Sequence, residues 1–407
     1  MLARLNPDGL SASLLAAIVA MLGLMPILIL PLFVGSIVDH QGFGTGAAGV
    51  VVSMNLLGNA LGVLLFSLVM RGLSLRQFVY LGAGLEIAAD LLTIELDAPF
   101  TGLLLLRLAA GCGGGLVTGA AFNWMARRAD PDRGFGLLFA GQFLISAVLL
   151  VTLPFVIPDF GVTTFYVLFI VTAIVSVACS PVLAAGEPSR GTRALVVEPG
   201  AGPEPHGVET RRDTAPLAIT GISLALISVA LFEIAASGIW AYIERIGVAW
   251  KFSLEHIGLA LSVGSLSGVP GGLLVVAFGS RWGRTKPILW GVICGVAGLA
   301  VLLAGIEAFW IYLTSILVFS AAWAFTVPYI QGVQAQLDPS GRVAVLGLFV
   351  VLLAIAAGPF VFGWLIGGQG YYTAIVFACL LLGACLFTVF GVARKQDLAP
   401  LGKHPSS

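Results

Sequence analysis

Charged residues are scarce in this sequence. Aspartate, glutamate, lysine and arginine make up 10% of the 407 residues, whereas apolar residues make up 59%. A soluble domain contains about 25% charged residues, so the composition excludes an ordinary soluble protein. The apolar residues lie in runs that suit membrane helices of about 20 residues. These runs are far longer than the alternating segments of about ten residues in a membrane barrel. The sequence therefore predicts an all-α integral membrane protein.

Motifs for catalysis, metal binding and nucleotide binding are also missing. The cysteines fall inside apolar runs without metal-ligand spacing, and the four histidines lie in predicted loops, the tail or a helix end. No Gly-x-x-x-x-Gly-Lys-Ser/Thr motif occurs, and the predicted loops are too short for an ATPase domain. We therefore expect no enzyme, metal, cofactor or nucleic-acid partner. The cysteines are Cys112, Cys179, Cys294, Cys379 and Cys385.

The apolar runs predict twelve membrane spans in two groups of six. The interval 185–216 between the groups is rich in Pro, Gly, Glu and Arg and is typical of a flexible linker. It separates an N-terminal six-helix bundle at 1–184 from a C-terminal one at 217–394, which a tail at 395–407 follows. The first run is too long for a signal peptide. The predicted spans are 11–37, 47–70, 77–96, 101–126, 134–157, 162–184, 217–242, 255–279, 287–305, 308–333, 343–365 and 371–393.

The distribution of lysine and arginine predicts the orientation in the membrane. If the N-terminus is cytoplasmic, 17 of the 20 cations fall in cytoplasmic segments and only Arg245 and Lys251 fall outside. The remaining cation, Arg107, lies within a span. Cytoplasmic loops carry an excess of lysine and arginine. We therefore expect both termini and the linker to be cytoplasmic, in a protein of the inner or plasma membrane.

A basic turn, Gly279-Ser-Arg-Trp-Gly-Arg-Thr-Lys-Pro287, separates the eighth and ninth predicted spans. Four features of the first half recur 210 residues later, and Asp130-Pro131 recurs 208 residues later as Asp338-Pro339. Because the two halves share one topology, they are predicted to be parallel repeats, as in rocker-type transporters with a site between the halves. The four pairs are Gly58 with Gly268, Gly62 with Gly272, Arg71 with Arg281, and Arg76 with Lys286.

These features resemble the major facilitator superfamily over nearly the whole chain. The basic turn resembles the loop motif of that family, a Gly followed by Asp-Arg-x-Gly-Arg-Arg/Lys, although Ser280 and Met70 stand where the motif has Asp. Arg107 with Gly111 resembles the Arg-x-x-x-Gly pattern of the fourth helix. The resemblance implies twelve helices in two pseudo-symmetric bundles. It also implies a central cavity lined by the first, fourth, seventh and tenth helices, in a carrier of small molecules.

Four ionisable residues lie clearly inside predicted spans, namely Glu86, Asp90, Arg107 and Glu233. A charge at the bilayer centre costs about 2.5–3.5 kcal/mol on insertion scales and usually marks function. Asp90 and Arg107 lie at similar depths on neighbouring spans, so we predict that they form an ion pair. The pair either neutralises two buried charges or adjusts the proton affinity of a carboxylate that titrates during transport. Glu86, which has no cation at its depth, is the preferred proton carrier.

Glu233, Trp240 and Glu244 fall on one stripe of the seventh span, and the resemblance places this stripe at the central cavity. We expect Glu233 to bind substrate or protons. The outer members of the stripe have another interpretation, in which Trp240, Glu244 and their neighbours Tyr242 and Arg245 form an aromatic and charged belt at the membrane surface.

Several uncharged residues are further candidates for the cavity, with helix–helix hydrogen bonding as the alternative. They are Asn55, Asn59, Gln142 and Tyr329. The basic residues of the two cytoplasmic turns are predicted to bind helix C-termini and so act as a cytoplasmic gate, unless their only role is to set the topology. They are Arg71, Arg76, Arg281, Arg284 and Lys286.

Together these patterns predict a monomeric secondary active transporter that moves a small organic solute by alternating access, coupled to protons. Buried carboxylates in an apolar protein favour export of amphipathic or cationic compounds. Proton-coupled uptake of a small organic solute is the alternative, and that solute could be anionic if Arg107 faces the cavity. A channel or a non-transporting membrane sensor is the alternative from another class.

Overall fold

The computed structural model describes residues 6–70, 72–96, 99–128, 131–184, 215–279, 281–337 and 342–398. Within these ranges the chain is helical and contains no strand. In the described part of the chain, eleven helices are long and apolar enough to cross a membrane, and Leu10–Gly23 is a shorter apolar helix. Arg71, Ser280, Asp130, Asp338-Pro339, the linker up to residue 214 and the tail from residue 399 lie outside the described ranges.

The first half contains α1 to α9. Their bounds are α1 Leu10–Gly23, α2 Met25–Leu28, α3 Leu30–Gln41, α4 Thr45–Val69, α5 Leu75–Glu95, α6 Phe100–Ala126, α7 Pro131–Thr152, α8 Ile157–Phe160 and α9 Thr163–Cys179. The first predicted span comprises α1 to α3. Pro26 and Pro31 stand in the first turns of α2 and α3. A proline cannot donate the hydrogen bond that would continue the preceding helix, so the span is interrupted at these points.

The second half contains α10 to α16. Their bounds are α10 Ala215–Ala249, α11 Leu254–Leu266, α12 Gly268–Phe278, α13 Thr285–Ala300, α14 Phe309–Leu337, α15 Arg342–Gln369 and α16 Tyr371–Leu398. The predicted spans agree with these helices, with two differences that concern the site. Helix α10 continues to Ala249 instead of ending near residue 242, and α16 continues to Leu398 instead of ending near residue 393.

Glycine lets helices of the first half pack closely. A Cβ at Gly58 would lie on the carbonyl oxygen of Leu108, and a Cβ at Gly111 would lie on that of Asn55. Helices α4 and α6 therefore pack backbone against backbone, as small residues spaced by four allow in membranes. Helix α5 packs on α6, and α9 packs on α5. The buried charges of the first half lie among these three helices.

Among the described residues, the most extensive contacts between the two halves are those of α4 with α15, α7 with α11, and α3 with α10. The basic turn lies at one end of the bundle. It turns sharply because Gly279 and Gly283 have φ of 51° and 69°, a region that favours glycine. We call the opposite end, formed by residues 35–49, 242–245 and 359–367, the closed end.

Candidate functional site

The first half buries an ion pair between α5 and α6. Arg107 Nη2 lies 2.7 Å from Asp90 Oδ1, and neither side chain is exposed. This confirms the predicted pairing of Asp90 with Arg107. Nη2 also donates to Thr93 Oγ1 at 2.6 Å, and the Arg107 guanidinium lies 4.5 Å from the centre of the Tyr166 ring on α9. Arg107 is therefore held inside the first half by three helices.

The charges of this group do not balance. Glu86 is 4% exposed and lies four residues before Asp90, so both carboxyl groups occupy one face of α5. Two carboxyl groups thus accompany one guanidinium. Arg107 Nε and Nη1 are buried without a hydrogen-bond partner among the described residues. Unpaired donors are costly in an apolar interior, so the pocket around Arg107 has unused capacity for polar partners.

The second half buries a carboxylate that has no cation beside it among the described residues. Glu233 on α10 is 2% exposed. Its Oε1 accepts a hydrogen bond from Trp323 Nε1 on α14 at 3.5 Å, whereas Oε2 has no partner in the described part of the chain. Helix α10 also packs extensively on α16. Glu233 therefore faces α14 and α16, inside its own half.

The part of the same helix that lies at the closed end joins the two halves. Arg245 donates to both oxygens of Asp39 on α3, at 2.6 and 2.7 Å, and to both oxygens of Glu244, at 2.5 and 2.6 Å. Glu244 and Arg245 are 1% and 5% exposed, so the interpretation of them as a membrane-surface belt is wrong. Because α10 extends past the predicted end of its span, these side chains meet α3.

Missing side chains on three glycines make room for this contact. A Cβ at Gly35 would lie 2.5 Å from the Glu244 carboxylate. The Tyr242 hydroxyl shares its one hydrogen between Thr45 O of the first half, at 2.9 Å, and Pro359 O of the second, at 3.1 Å. A Cβ at either Gly49 or Gly363 would collide with that hydroxyl. The closed end is thus a fitted contact, in which Trp240 is also buried.

The uncharged candidates are divided between the halves. Asn55 and Asn59 are buried and donate to backbone oxygens of Arg107 at 3.3 Å and Gly23 at 2.9 Å. Gln142 on α7 is half-buried. Tyr329 on α14 donates to Gly279 O at 3.1 Å, next to the basic turn. The structure therefore does not bring these four side chains together at one site.

Basic residues at the opposite end from Asp39 contact their own half. Arg76 Nη2 donates to Tyr80 Oη at 2.5 Å. Arg281 and Lys286 are exposed. A Cβ at Gly332 on α14 would lie 2.8 Å from Arg284 Nε, which places the Arg284 side chain against that helix.

An aspartate that the sequence analysis missed supports the basic turn. Asp397 on α16 accepts hydrogen bonds from the backbone nitrogens of Arg284 and Thr285, with its nearest oxygens at 2.9 Å from each. These nitrogens lie at the N-terminus of α13, where an acidic group is stabilising. Asp397 thus places a carboxylate beside a motif whose own acidic position is Ser280. Its location at the predicted tail concealed this role.

Other kinds of site receive no support in the described ranges. No group of three His, Cys, Asp or Glu residues there could hold a metal ion. A cavity of about 390 Å³ lies at the closed end beside Gly46, Gly363 and Trp364, and none of the buried carboxylates lines it.

Comparison with known proteins identifies the family. The Major Facilitator Superfamily model matches residues 12–357, which is most of the chain, so the chain belongs to this superfamily. No curated protein matches it. The fold is that of a D-xylose-proton symporter, with 16% identity, a TM-score of 0.70, and coverage of 93% of this chain and 96% of the other.

Two further solved structures have the same fold. The nucleoside transporter NupG, solved as a point mutant, matches with 14% identity and a TM-score of 0.66, over 95% of this chain and 100% of its own. A bacterial homolog of the human lysosomal transporter Spinster, inward-facing and unoccupied, matches with 15% identity and a TM-score of 0.64, over 95% and 98%. The chain is therefore a multi-pass membrane protein and a secondary transporter of small molecules, not an enzyme.

Proposed function

We propose that this transporter moves a small organic solute by alternating access and couples the movement to protons through Glu86, Asp90 and Glu233. The observation that carries the proposal is the charge balance of the first half. Two buried carboxyl groups share one guanidinium, so the group is neutral only when it holds one proton. A net charge is costly in this environment, and neutrality therefore favours binding of a proton.

Glu233 extends the argument to the second half. Its carboxyl group is buried, accepts one hydrogen bond from a neutral donor and faces no cation among its described neighbours. A proton neutralises it as well. Among the described residues, each half thus contains one buried carboxyl group in excess of its buried cations, and a change in hydration during the cycle would release the proton.

The orientation and the conformational state belong to the same proposal. The excess of lysine and arginine assigns the basic turn, both termini and the linker to the cytoplasm of a cell-membrane protein. The closed end then faces the outside, and the Asp39–Arg245 pair joins the halves there. The described contacts of Arg284 and Tyr329 stay within their own half, which favours a state open to the cytoplasm. The similarity to an inward-facing Spinster homolog supports this assignment.

The chemistry of the buried groups favours some solutes over others. Carboxyl groups in an otherwise apolar bundle favour export of amphipathic or cationic compounds by a monomeric carrier. Uptake of a small organic solute is the alternative, supported by the likeness to a D-xylose-proton symporter and a nucleoside transporter. Arg107 has no exposed surface and is paired, which argues against the anionic solute that a cavity-facing arginine would attract.

Flux in proteoliposomes with an imposed pH gradient tests the proposal. Solutes are first selected by a thermal-shift screen of the purified protein against a broad library. We expect flux to follow the gradient, and Glu86→Gln and Glu233→Gln to uncouple it while leaving solute exchange without a gradient intact. Glu307→Gln, at the loop before α14, is the matched control. Gradient-independent flux in the wild type, or coupling that survives both substitutions, contradicts the proposal. A channel would instead show flux without saturation, and a sensor would show none.

A further inference from the structure

A line of polar side chains leads from the closed end into the first half. Gln41, the last residue of α3, is half-exposed, and its Nε2 donates to the Tyr166 hydroxyl at 3.3 Å. The Tyr166 ring lies against the Arg107 guanidinium at 4.5 Å. Arg107 in turn contacts Asp90, and Glu86 follows one helical turn, about 6 Å, further along α5.

Unsatisfied polar atoms accompany this line. Gln41 Oε1, Arg107 Nε and Nη1, and Asp90 Oδ2 are buried without a hydrogen-bond partner in the described part of the structure. Three different helices contribute these atoms. Buried water typically makes about three hydrogen bonds to polar groups that lack other partners. A few water molecules beside Arg107 would satisfy these atoms and connect Gln41 to the two carboxyl groups.

We propose that protons reach Glu86 and Asp90 through the interior of the first half, along Gln41, Tyr166 and Arg107, and not through the space between the halves. The inference rests on the proposed proton coupling and adds the route. The proton moves as hydrated H⁺ along water, from solution at the closed end to a carboxylate oxygen. No residue on the route needs to change its charge except the accepting carboxylate.

The charged and titratable groups around the acceptor agree with this route. Helix α5 carries Glu86 and Asp90, α6 carries Arg107, and α9 carries Tyr166. Gln41 on α3 does not ionise. Asp39, two residues before Gln41, is 49% exposed and bonded to Arg245, so a carboxylate lies partly in solution at the outer end of the line.

The route predicts that the protonation of Glu86 follows the pH on the closed-end side even when that end cannot open. The closed end is locked by a disulfide between cysteines introduced as Gly46→Cys and Gly367→Cys, after the five native cysteines are replaced. Dicyclohexylcarbodiimide modifies protonated carboxyl groups, and mass spectrometry measures its extent of reaction at Glu86. In vesicles sorted by orientation, the pH is varied on one side at a time.

We expect modification of Glu86 to follow the pH on the closed-end side. Tyr166→Phe keeps the ring against Arg107 but removes the hydroxyl that meets Gln41. The modification of Glu86 should therefore respond to the closed-end pH about three- to tenfold more slowly, as expected for one lost hydrogen bond. Gln41→Leu should act in the same direction. Tyr372→Phe, on an exposed residue of the second half, should change nothing.

Two failures of this experiment are distinguishable. If modification follows the pH on the basic-turn side, or if Tyr166→Phe and Gln41→Leu respond as fast as wild type, the route is wrong, whereas proton coupling still stands if Glu86→Gln uncouples flux. If modification follows the closed-end pH but Glu86→Gln leaves coupled flux intact, the route exists and the proposed role of Glu86 in transport is wrong.

Discussion

The two ends of the bundle use their charged residues differently. At the closed end, Arg245 and Asp39 join the halves, and Glu244 fits against Gly35. At the basic-turn end, the described contacts of Arg284 stay within the second half. A transporter that alternates must make and break contacts at both ends. The difference shows which end is fastened in this structure and with which kind of contact.

The contacts that hold the closed end together are polar and reversible. Asp39 is about half-exposed, so its pairing with Arg245 contributes on the order of 1 kcal/mol. Glu244 is buried and depends on Arg245, because a buried charge without its partner costs about 3–5 kcal/mol. Arg245 and Glu244 are adjacent on α10 and separate together from α3. Of the two ion pairs of Arg245, opening therefore breaks the weaker one and keeps the stronger one, which suits a carrier.

The largest effect is expected from preventing the closed end from opening. Gly46 and Gly367 approach across the halves, since a Cβ at Gly367 would lie 3.9 Å from Gly46 N. In a background without native cysteines, Gly46→Cys/Gly367→Cys should form a disulfide that reduces solute flux to background. Reduction of the disulfide should restore the flux. Each single variant is the control. Full transport by the cross-linked protein would show that this end does not open.

Removal of the shared cation should have the next largest effect. Arg245→Leu leaves Glu244 buried without its partner, which should destabilise the closed end by about 3–5 kcal/mol, more than a hundredfold in population. The readout is the rate at which a membrane-impermeant maleimide modifies a cysteine introduced at Ala48, which is fully buried at the closed end. Arg281→Leu, on an exposed arginine of the other end, is the matched control. Equal rates in the two variants would contradict the assigned role of Arg245.

Adding one methyl group should test the fit of Glu244. Gly35→Ala places a Cβ 2.5 Å from the Glu244 carboxylate, and overpacking of this kind costs about 1–3 kcal/mol. The same maleimide assay should show faster modification than in wild type. Gly383→Ala, where a Cβ meets nothing within 4 Å, should behave as wild type.

The smallest effect is expected at the other end. Asp397→Asn weakens the acceptor at the N-terminus of α13 and should lower the free energy of unfolding by about 1 kcal/mol. Thermal unfolding in detergent should show the loss, and the maleimide rate of the cysteine at Ala48 should not change. A change in that rate would mean that Asp397 also acts on the contact between the halves.

Much of the fold and part of the site could be predicted from the sequence. Long apolar runs define the spans, because lipid offers the backbone no hydrogen bonds outside a helix or barrel. Asp90 and Arg107 were predicted as a pair because a short loop makes their helices neighbours and both charges need a partner. Asp39 and Arg245 are 206 residues apart, and no spacing rule joins them.

The remaining differences arise where helices end and where faces meet. The same residue types, such as Trp240, occur at surfaces that face lipid and at surfaces that face the other half. Only the extension of α10 to Ala249 turns Arg245 toward α3. Asp397 was assigned to the tail because α16 runs past its apolar segment. The surroundings of polar residues at helix ends cannot be predicted from sequence, because solvent, lipid headgroups and protein can all supply their hydrogen-bond partners.

Distances measured at both ends of one protein test alternating access most directly. Pulsed electron paramagnetic resonance would follow spin-label pairs at Gly44 and Gly368 of the closed end, and at Gly72 and Lys286 of the basic-turn end. We predict that a pH change or a bound solute lengthens the first distance while it shortens the second. If both distances stay constant, or both change in the same direction, the central claim that the two ends open in alternation is wrong.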